Sequence, residues 1–130
     1  MIKLPSLGEA FNHENDFFLS CKNDRIAKFI SHFKFLEKVA NIEGEIVECG
    51  VFKGVSLTRF AAFREILKLN NKKIIGFDTF NSFPETSFKP DLAPRKAFIE
   101  EAGKQSISKD QLLEILNNKN SSDNVELIEG

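Results

Sequence analysis

Ile46-Val47-Glu48-Cys49-Gly50-Val51-Phe52-Lys53-Gly54-Val55-Ser56 is the stretch whose reading decides the fold. Its branched apolar start suits a short strand over Glu45–Cys49, ended by Gly50. The turn Gly50–Gly54 leads into a helix over about Val55–Leu69, with Leu57, Phe60, Ala61, Arg64, Ile66 and Leu67 in periodic places. Glycine at 50 lets the backbone bend sharply and a ligand approach closely, and Gly54 allows tight packing where the helix begins. The free amides and positive dipole end of that helix favour a polar or anionic group. Glu48, at the carboxyl end of the strand, faces the crevice in which open α/β sheets bind their ligands.

The same alternation extends outward. Lys73–Asp78 reads as a second strand and Val125–Ile128 as a third. Between them lie a long loop, Thr79–Ala93, a helix with Pro94 in its first turn and Gly103 at its end, and a helix opened by the capping box Ser108–Gln111. Upstream, Asp24 is placed to cap a helix with Ile26, Phe29, Ile30, Phe33, Leu36, Val39 and Ala40 on one side and Lys28, Lys34 and Lys38 on the wet side. Strands separated by helices imply an α/β fold, a Rossmann-like parallel sheet with flanking helices. The chain divides into an arm, residues 1–23, and a domain, residues 24–130. The arm reads as irregular; its polar His13–Asp16 stretch before Phe17-Phe18-Leu19 suits a flap over a ligand or, more commonly, a solvated segment.

The bulk numbers narrow the class. The chain has 130 residues, 42% apolar and 28% charged, with net charge −1, so no global field draws it to nucleic acid or a membrane. It has no apolar run of bilayer length and no signal-peptide pattern at Met1–Pro5, which points to the cytoplasm. Cys21 and Cys49 form no ligand cluster with His13 and His32, so no metal site is expected, and Cys49 is expected to sit buried as a small hydrophobe. Fourteen phenylalanines and no tyrosine leave no phenolic base. No catalytic residue is assigned from the sequence.

The second site feature is Asp78, at the carboxyl end of the second strand, a position that reaches the ribose of a bound nucleoside in a doubly wound sheet. The competing reading makes Glu48 and Asp78 helix caps. Phe52 stands where a dinucleotide turn needs glycine and would crowd a pyrophosphate, and no P-loop lysine follows. A nucleoside ligand without phosphate is favoured, and S-adenosylmethionine is one. Its methionine end suits the glycine turn and its ribose suits Asp78. Phe52 or Phe80 is placed to face a sulfonium. An NAD-binding Rossmann fragment is the alternative enzyme. A degenerate, non-catalytic half-domain that self-associates into a homo-oligomer through its open edge is the alternative non-enzyme.

Gly44–Gly54 followed by Gly76-Phe77-Asp78-Thr79-Phe80-Asn81-Ser82-Phe83-Pro84-Glu85 resembles the macrocin O-methyltransferase family, over roughly Asp24–Gly130. The resemblance implies the first, three-stranded half of a class I methyltransferase fold. It also implies methyl transfer from S-adenosylmethionine to a sugar hydroxyl, on a deoxysugar or a nucleotide-sugar. It places Glu48, Gly50, Gly54 and Ser56 around the methionine end and Asp78 at the ribose with Thr79 and Phe80 beside the adenosine, and it counts Val51 and Phe52 among the cofactor-binding residues. Val55 departs from a glycine common there. The magnesium-binding aspartates and base of the family have no counterpart up to Gly130, so a fragment or truncated product with little activity of its own is expected.

Overall fold

The structure, a computed structural model, describes residues 1–130. A short 3-10 turn, Leu7–Glu9, precedes helices α1 (Ala10–Ser20) and α2 (Asn23–Lys38). Strand β1 (Ile46–Cys49), helix α3 (Val55–Ile66) and strand β2 (Ile74–Asp78) follow. Helices α4 (Lys89–Ala102) and α5 (Lys109–Asn118) then lead to strand β3 (Val125–Glu129). The three strands form one parallel sheet in the order β1-β2-β3, with Glu48 level with Gly76 and Asp78 level with Glu129. This is the expected α/β, Rossmann-like arrangement.

One sheet face is packed. Leu57 and Ala61 of α3, Leu112 and Leu116 of α5, and Ile107 bury against Ile74 and Leu127, with Val51 and Phe80 completing the cluster. Gly76 is what lets α3 come so near. A Cβ there would lie 2.6 Å from the Leu57 side chain and 3.0 Å from that of Val51. Helix α2 packs on α3 rather than on the sheet, with Phe29 and Phe33 edge-on to Phe63.

At the other end of the strands, two buried cations hold the loops. Arg64 donates to the carbonyls of Lys72, Ser121, Asp123 and Asn124, tying the turns that precede β2 and β3 together. Lys72 donates to the carbonyls of Ile42 and Gly44 before β1. Each supplies charged donors to backbone carbonyls in the turns before the strands.

The opposite face follows from strand alternation. Val47 and Phe77 are 55% and 39% exposed, and Cys49 beside them is exposed rather than buried. The expectation for Cys49 fails because burial on this face depends on what covers it, which local pattern does not reveal. β1 pairs on one side only, so its outer edge is open as expected.

Three local expectations are corrected. The arm is not irregular: it carries the 3-10 turn and α1, its His13 ring bonds the Ser6 carbonyl, and the Gln111 amide holds the Ile2 carbonyl. Asp24 does not cap α2; Lys22 occupies that position, and Asp24 sits in the first turn accepting from the Arg25 amide. Helix α4 starts five residues before Pro94, with Pro90 in its first turn and Pro94 in its interior. Both prolines suit a first turn, and Phe88 in extended conformation selects the earlier one. The Ser108–Gln111 capping box is present in both directions. No helix is long and apolar enough to cross a membrane.

Arg64→Met is expected to destabilise the fold by about 3 kcal/mol, since several buried carbonyls lose a charged donor at once. Urea unfolding measures it; a change within experimental error would show that water replaces the guanidinium freely.

Candidate functional site

The site is built on the crossing from β1 into α3. Gly50 takes φ +87°, continues the ladder by donating to the Phe77 carbonyl, and has nothing within 4 Å of where a Cβ would stand. A side chain there would project into open space beside the turn. Phe52 also takes a left-handed conformation, φ 51°, unusual for a bulky residue. Two hydrogen bonds hold it. Its amide donates to Asp78 Oδ2 at 2.9 Å, and its carbonyl accepts from the Ile107 amide at 2.7 Å. Asp78 Oδ1 accepts from the Phe80 amide at 2.8 Å. The Asp78 carboxylate thus joins the turn after β1 to the turn after β2.

Asp78 caps no helix, since Phe52 and Phe80 lie in turns ahead of α3 and α4, and the arrangement leaves room for a further partner. An ionised carboxylate offers about four lone-pair positions; two backbone amides occupy half of them, and the Thr79 hydroxyl stands 3.5 Å from Oδ1. Asp78 lines a cleft of about 410 Å³ together with Gly50, Phe52, Thr79, Phe83 and Phe98. The rings of Phe83 and Phe98 stand 6.3 and 5.3 Å from that of Phe52, which makes one wall aromatic. The Thr79 hydroxyl donates to the Ser82 carbonyl and fixes the loop edge.

A second cleft of about 740 Å³ shares Gly50, Phe52 and Phe98 with the first and opens over the start of α3. No side chain caps α3, so its first-turn amides stay free for a ligand. Ser56 lines this cleft and donates its hydroxyl to Glu48 Oε1. Glu48 lies behind Ser56 on the same sheet face as Asp78, since its register partner is Gly76, two residues before Asp78. Its Oε2 is buried without a partner. Burial pushes the Glu48 carboxyl above the usual carboxylate range, the Ser56 hydrogen bond and the Lys28 and Arg59 charges oppose this, and Asp78 adds to it.

The expected residues therefore separate. Gly50, Phe52, Ser56, Asp78 and Thr79 meet around the two joined clefts, and Val51 reaches the second while its side chain is in the core. Gly54 does not line either cleft. It takes φ +78° as the cap of α3, where a Cβ would stand 3.0 Å from Leu112. Phe80 is a core residue, 6% exposed, and only its amide serves the site. Sequence reading missed Phe83 and Phe98, which come from the loop and helix after β2. It also missed Arg25, Lys53 and Arg59, and assigned Lys28 to a merely wet face; all four line the second cleft. Phe17 of α1 lines it too. No three His, Cys, Asp or Glu side chains gather to hold a metal ion, so the residues present offer magnesium no site.

No protein-family model and no curated protein matches the sequence. Solved structures do. The chain superimposes on CalS11, a calicheamicin methyltransferase, with TM-score 0.71 and 25% identity, covering 96% of this chain and 52% of that one. The apo structure of CalS11, described as a TDP-rhamnose 3'-O-methyltransferase, gives TM-score 0.55 and 21% identity over 96% of this chain and 49% of that one. The O-methyltransferase NovP gives 0.66 and 19% over 79% and 44%. The chain shares part of their Rossmann-like fold. It spans about half the length of these structures.

The Glu48 environment sets a pH dependence. A carboxyl whose folded pKa is raised favours the native state below its unfolded pKa, and that advantage is lost as pH rises through the folded value. Glu48→Gln is therefore expected to raise the melting temperature relative to the native chain at about pH 8 and to change it less at about pH 4. Thermal melts at both values check this; a larger loss at the higher pH would show that the ionised Glu48–Ser56 bond outweighs the cost of burial.

Proposed function

We propose that this chain forms the donor-binding part of an S-adenosylmethionine-dependent O-methyltransferase that acts on a sugar hydroxyl. The observation that carries the reading is Asp78. A carboxylate at the end of β2, positioned by two amides and half free, borders a cleft with an aromatic wall that joins a second cleft over an uncapped helix. The likeness to CalS11 and NovP, both methyltransferases by description, supports the same reading.

In this reading the free lone pairs of Asp78 accept from the two ribose hydroxyls. Gly50 lets the ligand lie against the backbone, and the amides at the start of α3 with Ser56 receive the methionine end. The bound donor supplies a methyl group on a positively charged sulfur. Phe52, with Phe83 and Phe98, walls the cleft beside that charge and excludes water. The part of the chain would be to hold the sugar oxygen and the methyl carbon in line. Holding the two in line is worth about 7–11 kcal/mol of barrier. The acceptor is a deoxysugar or a nucleotide-activated sugar, and the base that takes the hydroxyl proton is not assigned to any residue here.

Against an NAD-binding reading stands the Phe52 side chain, held in the turn where a pyrophosphate would need open backbone. A self-associating half-domain draws support from the exposed Val47 and Phe77.

Asp78→Ala is expected to weaken S-adenosylmethionine binding by about tenfold to a hundredfold in calorimetry, with NAD showing no binding to either form. Unchanged affinity would return Asp78 to a purely structural role, and saturable NAD binding would replace the donor.

A further inference from the structure

The second cleft holds more positive charge than a methionine end can use. Arg25 and Lys28 of α2, Lys53 of the turn and Arg59 of α3 line it, against one lining carboxylate, Glu101. The chain as a whole has net charge −1, so this is a local concentration. None of the four forms an ion pair. Lys53 donates to the Gln105 carbonyl and lies over the Phe52 ring, while Arg59 lies over the ring of Phe29. Arg25 and Lys28 are exposed, one turn apart on the same face of α2, and their side chains bond nothing. His32 stands beside Arg59, its ring nitrogen 3.4 Å from the guanidinium. Burial first, then the charges of Arg59 and Lys28, holds its imidazole below the usual range.

Like charges one turn apart disfavour a helix unless an anion lies between them. Glu101 and a methionine carboxylate offset two of the four cations, which leaves two lining cations for another anion such as a diphosphate. Arginine and lysine together are the usual partners of such a group. The rim also shares Gly50 and Phe52 with the Asp78 cleft, so a molecule held there by its phosphates lies beside the donor.

We infer that Arg25 and Lys28, with Lys53 and Arg59, bind the diphosphate of the acceptor, and that the acceptor is a nucleotide-activated sugar rather than a sugar on an uncharged natural product. This rests on the donor-site reading above. The phosphates that the Phe52 turn excludes are received by the α2–α3 rim, and specificity between the two acceptor classes is set by charge.

Calorimetry on the full chain tests it with four titrants: S-adenosylhomocysteine, thymidine diphosphate, inorganic pyrophosphate and thymidine. The variant is Arg25→Ala/Lys28→Ala, which removes no internal bond, with circular dichroism to confirm folding. Thymidine diphosphate and pyrophosphate are expected to bind the native chain and to lose about tenfold or more in the variant, while S-adenosylhomocysteine changes by less than about twofold and thymidine does not bind. If the nucleotide and pyrophosphate fail while S-adenosylhomocysteine binds, the acceptor inference falls and the donor reading stands. If S-adenosylhomocysteine fails to bind the native chain, the donor reading falls and takes the acceptor role with it. Pyrophosphate binding alone, or thymidine binding as well as its diphosphate, overturns the nucleotide-sugar class. An equal loss of S-adenosylhomocysteine in the variant assigns the rim to the methionine carboxylate instead.

Discussion

One carboxylate bridging two turns organises the end of the sheet where the strands finish. Asp78 accepts from the Phe52 amide across the sheet and from the Phe80 amide in its own loop. A left-handed conformation at a non-glycine residue persists only where its surroundings over-determine it. Here both Phe52 and Phe80 are left-handed, and both are fastened to the same side chain. Without that anchor, the Phe52 ring would lose its place in the aromatic wall, and the turn would lose the shape that leaves space beside Gly50. The bonds that build the turn also hold the Asp78 carboxylate at the edge of the cleft.

The rest of the fold supplies rigidity behind that bridge. Gly76 lets α3 seat against β2 through Leu57, which fixes the start of α3 relative to the strand ends. Arg64 and Lys72 fasten the loops at the far end of the strands, so the sheet is braced at both ends by polar groups and in the middle by apolar packing. Glu48 is the point of tension. It is half-buried with one oxygen unpartnered, on the same sheet face as Asp78 and under a cluster of cations. Burying a carboxylate costs stability unless it is paired, and such groups concentrate where a ligand is to be held.

Much of this was legible in the sequence where the cause is local. The β1–turn–α3 segment announces itself through Ile46-Val47 and the glycines at 50 and 54, Asp78 through its position after an apolar run, and α5 through Ser108 and Gln111. What stayed hidden has causes distant in the chain. Arg64 reads as one more residue on a helix, because its partners are backbone carbonyls up to 60 positions away. Phe52 and Phe80 look equivalent, yet one ring enters the cleft wall and the other the core. Periodicity separates the wet side of α2 from the dry side, but it does not distinguish bulk water from a cleft, so Lys28 was placed on the right side for too weak a reason. Cys49 failed for the converse reason: an apolar strand predicts a buried face only when something covers it.

The most direct measurement is a crystal structure of the chain with S-adenosylhomocysteine. The account predicts both ribose hydroxyls within hydrogen-bond distance of the Asp78 carboxylate, the Phe52 and Phe80 amides still bonded to it, and the homocysteine end against Gly50 and Ser56. Adenosine bound elsewhere on the molecule, or a ribose that leaves Asp78 untouched, would contradict it.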